Sequence, residues 1–168
     1  MKKVLTLVLA SACCVAFAQG QQLDKKDREF IQKAGAGGLE EVQAGKLAEG
    51  KAQNPDVKSF AGMLVTDHGA SNQELQSLAQ QKGVTLSTTL PHKQQNKIDK
   101  MAKAKDFDKT FIHEQGIEDH KDDIKEFEKA SKGAKDPDVK AYATKTLPVL
   151  QKHLQRAQEI SKTMGGKS

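Results

Sequence analysis

Tryptophan is absent, tyrosine occurs once (Tyr142), and aromatic residues make up only 4% of the 168 positions. Sandwiches and barrels fill their pleated faces with aromatic and β-branched side chains, so this scarcity argues against an all-β fold. Cysteine occurs twice, as Cys13 and Cys14, both inside one apolar run near the N-terminus. If that run is removed on export, the remaining chain has no thiol, no disulfide and no cysteine metal ligand. Strong charge of one sign is also missing. Removing Lys2 and Lys3 with that segment takes 27 basic residues to 25 against 22 acidic, a balance of +3. That is too little to suggest a nucleic-acid partner. The run from Val4 to Phe17 is about 14 residues, short of the roughly 20 that cross a bilayer, and nothing else is a transmembrane candidate.

Lys2 and Lys3, the run itself and Ala16-Phe17-Ala18 read as a signal peptide over residues 1–18. Cleavage near Ala18/Gln19 makes the protein periplasmic or secreted. A rival reading is a lipoprotein anchored at Cys13 after Ala10-Ser11-Ala12, although Leu is usual where Ala10 stands. Residues 19–23 are expected to be a disordered entry and 164–168 a flexible tail, with one domain over 24–163.

That domain is rich in Ala, Lys, Gln, Glu and Leu, the strong helix formers. Four long segments carry helical periodicity, at about 24–52, 55–82, 106–132 and 137–163. Asn54-Pro55-Asp56 and Asp136-Pro137-Asp138 each supply an N-cap, a proline at the first helical position and an acid in the first turn. They belong to an internal repeat. Asn54 to Ala61 matches Asp136 to Ala143 at an offset of 82, and Phe30-Ile31 matches Phe111-Ile112 at an offset of 81. The expected fold is all-α: a ferritin-like four-helix bundle of two helical hairpins joined by a long crossover, 83–105, with a short extra helix near 92–104.

Seam spacing points Val57, Ala61, Leu64, His68, Leu75 and Ala79 inward from the second helix. On the third it selects His113, Ile117, His120, Ile124 and Phe127, and on the fourth Val139, Ala143, Thr146, Leu150, His153, Ala157 and Ile160. The first helix offers Phe30, Ala34, Gly38, Glu41, Gly45 and Ala48, or alternatively Ile31, Leu39, Val42 and Leu47. Measured from the hairpin turns, Glu41, His68 and His120 lie at similar depth, while His153 falls about one turn lower. Glu41, His68, His120 and His153 form a candidate metal site, with His113 at its margin. Three imidazoles and a carboxylate suit Zn, Fe or Cu ions. The alternative is that each is a core residue hydrogen-bonded to a neighbour.

A di-iron centre needs Glu-x-x-His on two helices. Here the residues three before His68, His120 and His153 are Val65, Ile117 and Leu150, so ferroxidase chemistry is disfavoured. Asp67, Glu118 and Asp119 flank the histidines off the seam, as potential supports to the rings. Pro148 is expected to distort the fourth helix ahead of His153. No Gly-rich phosphate loop, catalytic triad order or cysteine nucleophile is present.

Several of these residues also carry a family resemblance. Glu41-Val42, Val57-Lys58-Ser59-Phe60-Ala61, Met63-Leu64-Val65-Thr66-Asp67-His68, Phe107-Asp108, His120, Leu147-Pro148 and His153-Leu154 are similar to domain-of-unknown-function family 4142. The resemblance implies an exported bacterial bundle, and it selects the same Glu41, His68, His120 and His153. His113 has no counterpart in it. Because it implies no activity, two main readings stand: a bundle that binds one transition-metal ion, or a non-enzymatic envelope-stress or interaction module whose buried His and Glu are structural. An enzyme would need an open coordination position and a cleft, which the sequence does not reveal. The protein partner stays unknown and self-association into a homo-oligomer stays open.

Overall fold

The computed structural model describes residues 23–165. The expected signal peptide, the Cys13 alternative and the last three residues lie outside them. The elements in order are α1 (Lys25–Lys51), α2 (Pro55–Gln81), α3 (His92–Ala102), α4 (Phe107–Phe111), a π-helical segment (Ile112–Asp119), α5 (His120–Gly133) and α6 (Pro137–Gly165). No strand occurs among the described residues. The α4–π–α5 run makes one long rod, which packs with α1, α2 and α6 as a four-rod bundle.

Local chemistry sets the boundaries. Asn54 Oδ1 accepts from the Asp56 N–H at 2.8 Å, and Asp136 Oδ1 accepts from the Asp138 N–H at 2.9 Å, each just ahead of a first-turn proline. At the end of α2 the chain reverses through Gly83, whose φ of +65° suits a residue without a Cβ. The Val84 N–H then returns to the Ala79 carbonyl at 2.8 Å, closing the cap.

The two hairpin turns lie at opposite ends of the bundle, because the crossover carries the chain back along the full length of α2. Each turn is clamped by the other half. Asp27, 3% exposed at the start of α1, accepts from the backbone N–H groups of Lys135 and Asp136, at 3.0 and 2.7 Å. Asp108, at the start of α4, accepts from those of Gln53 and Asn54, at 3.1 and 2.7 Å. The two aspartates are 81 residues apart, the same offset as Phe30 and Phe111.

The apolar core divides in two. One cluster gathers Ala48, Val57, Phe60, Leu64, Met101, Phe107, Phe111 and Ile160 around the α1–α2 turn. The other gathers Phe30, Ile31, Leu75, Leu78, Phe127, Val139, Tyr142 and Leu150 at the far end. There Phe30 and Phe127 meet edge to face at 5.0 Å, a contact worth about 1 kcal/mol beyond its area. A buried polar layer lies between the clusters: Glu40, Glu41, His68, Gln115, His120, Thr146 and His153.

One expectation needs correction. The third rod is not a uniform α-helix, because residues 112–119 are π-helical. The wider turn moves Phe111, Ile112, Gln115 and Gly116 inward and leaves His113 exposed. His113 therefore leaves the seam. Pro148 lies inside α6, which continues through it with the proline on its exposed face. There the carbonyl it deprives of a partner is open to water.

Candidate metal centre

Measured from one end of the bundle, the apparent mismatch in depth disappears. His68 is 13 residues after Pro55 and His120 13 after Phe107, while Glu41 is 10 before Lys51 and His153 12 before Gly165. These differences amount to about 4.5 Å at ~1.5 Å per residue, less than one turn. The two hairpin turns lie at opposite ends of the bundle, so depths counted from each turn run in opposite directions.

His68, His120 and His153 are all buried, and one ring nitrogen from each lies within 4.8 Å of the other two. Their ring centroids are 5.1–5.6 Å apart. Phe60 closes one side, 6.4 Å from both His120 and His153. Gly116 lets the π segment approach α6: a Cβ there would come within 2.6 Å of the Ala157 Cβ.

Each ring is held from behind by an acceptor. The His120 Nδ1–H donates to the Gln115 carbonyl at 2.7 Å, and because a carbonyl only accepts, this fixes the proton on Nδ1. The His153 Nε2–H donates to Asp67 Oδ2 at 2.9 Å. His68 Nδ1 lies 2.9 Å from Glu41 Oε2 and donates to it when the carboxylate is ionised. The nitrogens left over point at one another. His120 Nε2 and His153 Nδ1 stand 3.2 Å apart, and His68 Nε2 is buried with no hydrogen-bond partner. In neutral rings those tautomers set two lone pairs face to face and leave a third unsatisfied. A shared proton or a cation between them removes the conflict, and a metal accepts all three lone pairs.

Electrostatics agree with that picture. Burial pushes the His68 pKa down to about 4, and it lowers those of His120 and His153 too, against the pull of Glu41 and Asp67 respectively. The rings are thus held neutral, the form that ligates. Burial also raises Glu41 to about 7, with His120 opposing the shift. Glu41 Oε1 is 3.5 Å from His120 Nδ1, which already donates to Gln115, so that oxygen has no hydrogen-bond partner.

The structure therefore brings His68, His120 and His153 together and sets Glu41 behind two of the rings. Among the flanking acids, Asp67 supports His153 on another helix, Asp119 pairs with Lys97, and Glu118 pairs with Lys121. His92 and His113 are exposed. Sequence reasoning missed Gln115, whose place in the core follows from the π register.

An all-helical bundle with a buried histidine trio behind acceptor groups defines the class. Residues 13–160 match the domain of unknown function DUF4142, and the chain belongs to that family. No curated protein matches the sequence. Among solved structures, a DUF305 fragment from Deinococcus radiodurans superposes with a TM-score of 0.74 at 9% identity, covering 85% of this chain and 99% of its own. CopM in the Cu(I)-bound form gives 0.71 at 18% identity, covering 83% and 98%, and its Cu(II)-bound form gives 0.67 at 17%, covering 82% and 97%. These likenesses are of fold.

Proposed function

We propose that this is an exported protein that binds one transition-metal ion, copper foremost, through His68 Nε2, His120 Nε2 and His153 Nδ1. The carrying observation is the buried, partnerless His68 Nε2 beside two nitrogens whose outward neighbours are both acceptors. Copper leads because imidazole sites follow the Irving–Williams order, in which Cu²⁺ exceeds Fe²⁺ and Zn²⁺. The copper-bound state of the similar CopM bundle adds support. Glu41, Gln115 and Asp67 orient the rings and raise their basicity, the task of a supporting shell around a metal. The export reading rests on the character of residues 1–18.

A second reading draws on the His120–His153 contact, which at 3.2 Å also fits a hydrogen bond in a purely structural network. Elemental analysis of untagged protein separates the two, paired with melting curves after chelation and after adding copper, zinc or iron. About one metal per chain, lost in His68→Ala, supports the metal reading. Metal-free protein with no thermal shift supports the network.

A further inference from the structure

We propose that the pocket between α2 and α6 is the port through which an aquated metal cation reaches and leaves the imidazole trio, an inference that rests on the trio holding an ion. The pocket has a volume of about 400 Å³, with Asp67, His68, Ala70 and Glu74 lining it from α2 and Lys145 and Thr146 from α6. Ala70, Glu74 and Lys145 are exposed, whereas His68 and Thr146 are 5% and 9% exposed. The pocket therefore runs from solvent to the ring whose Nε2 has no hydrogen-bond partner. The rings are covered elsewhere. His120 and His153 are wholly buried, and Phe60 packs against both. Glu41 stands behind His68 and the Gln115 carbonyl behind His120.

Asp67 joins the mouth of the pocket to the site. Its side chain is 38% exposed, and its Oδ2 accepts from His153 Nε2 at 2.9 Å. A carboxylate so placed offers an entering ion an oxygen ligand before its waters give way to imidazole. Two features let the port open. Glu74 on α2 and Lys145 on α6 pair across the mouth at 2.7 Å, with both side chains exposed. Surface pairs of this kind hold weakly, so the strap breaks readily. Pro148, on the stretch of α6 that forms the wall, has no N–H to return to the Thr144 carbonyl. The helical ladder thus lacks a bond in the turn that carries Lys145 and Thr146, and that wall yields more easily than the rest of α6.

The test is stopped-flow uptake of Cu²⁺ by chelator-treated protein and its release to excess chelator, with the stoichiometry at equilibrium measured alongside. Ala70→Trp fills the mouth without touching the trio or its supports. It is expected to slow uptake and release by the same factor, about tenfold or more, because an obstructed path raises one barrier crossed in both directions. The equilibrium affinity then stays as it was. Lys145→Ala breaks the strap and removes a cation from the mouth, so uptake is expected to speed up about two- to threefold, less at high salt. It carries the test if Ala70→Trp fails to fold. Gln32→Trp, exposed on α1, is expected to change neither rate. Rates in Ala70→Trp equal to those of the wild type overturn the port and leave the reading of the trio standing, as does equal slowing by Gln32→Trp. Absence of bound copper at equilibrium in every one of these proteins overturns the reading of the trio, and the port with it.

Discussion

The two halves of the repeat are alike at their ends and unlike in their middles. At the ends each half opens with an aspartate, Asp27 or Asp108, that grips the turn of the other half, and each second helix starts with a capped proline. In the middle the correspondence breaks. α1 runs unbroken, whereas its counterpart widens into a π segment over Ile112–Asp119. One extra residue in the second half turns the offset of 81 at Phe30/Phe111 into 82 at Pro55/Pro137. Beyond it, Gly38 stands where the second half has His120. A Cβ at Gly38 would lie 2.1 Å from Asn72 Oδ1, so the first half uses that space for packing. The ends hold the fold, and the divergence between the middles builds the site.

The sharpest way to break the comparison is to remove the divergence. Deleting Glu114 restores an α-helical count through the third rod with α5 still in phase, and it shifts Gln115 and Gly116, so that the carbonyl holding the His120 ring and the close approach to α6 are both lost. We expect metal binding to be lost altogether while circular dichroism still reports a helical protein. Among point changes, His120→Ala and His153→Ala should have the largest effect on metal affinity, at least about 100-fold, because each removes a donor atom. Asp67→Asn should weaken affinity ~10–100-fold through the orientation of His153. Competition against a chelator of known affinity measures all three.

The shared ends predict similar responses. Asp27→Ala and Asp108→Ala each strand two backbone N–H groups that now donate to a carboxylate, and each should cost about 1.5–3 kcal/mol. Asp27, buried, should sit at the upper end, and urea midpoints decide. The surface pair Lys145–Glu74 lies at the other extreme, and breaking it should move stability by at most about 1 kcal/mol.

The polar layer also predicts a pH response of definite sign. His68 is held near 4 in the fold, against about 6.5 in an unfolded chain. Its contribution to stability is full above the unfolded value and is lost as pH falls from 6.5 through 4. Glu41 works oppositely. Its pKa is raised from 4.5 to about 7, so its contribution is full below 4.5 and lost as pH rises through 7. Glu41→Gln removes the opposing response, and chelated protein should then lose stability more steeply between pH 6.5 and 4.5 than the wild type. An unchanged slope would contradict the assignment.

The fold was largely legible because its determinants are local. Proline caps, helix-forming composition and seam spacing place α1, α2 and α6 within a residue or two of their observed ends, and α3 at its observed start. They also mark Glu41, His68, His120 and His153, all of which are buried in one layer. What escaped depends on backbone that no local propensity specifies. The π segment excludes His113 and admits Gln115, and its one visible trace was the step from 81 to 82 in the repeat. The clamps escaped for another reason: Asp27 and Asp108 look like ordinary first-turn acids until the two halves are interlocked. Asp67 stood out only as a neighbour of His68, yet its partner is His153 on α6.

X-ray absorption spectroscopy of the copper-loaded protein tests the central claim most directly, because it reports the donor atoms themselves. The account predicts a first shell with three imidazole nitrogens and no sulfur, and a spectrum that collapses to that of free copper in His120→Ala. A shell with fewer than three imidazoles, or one unchanged by His120→Ala, would contradict it.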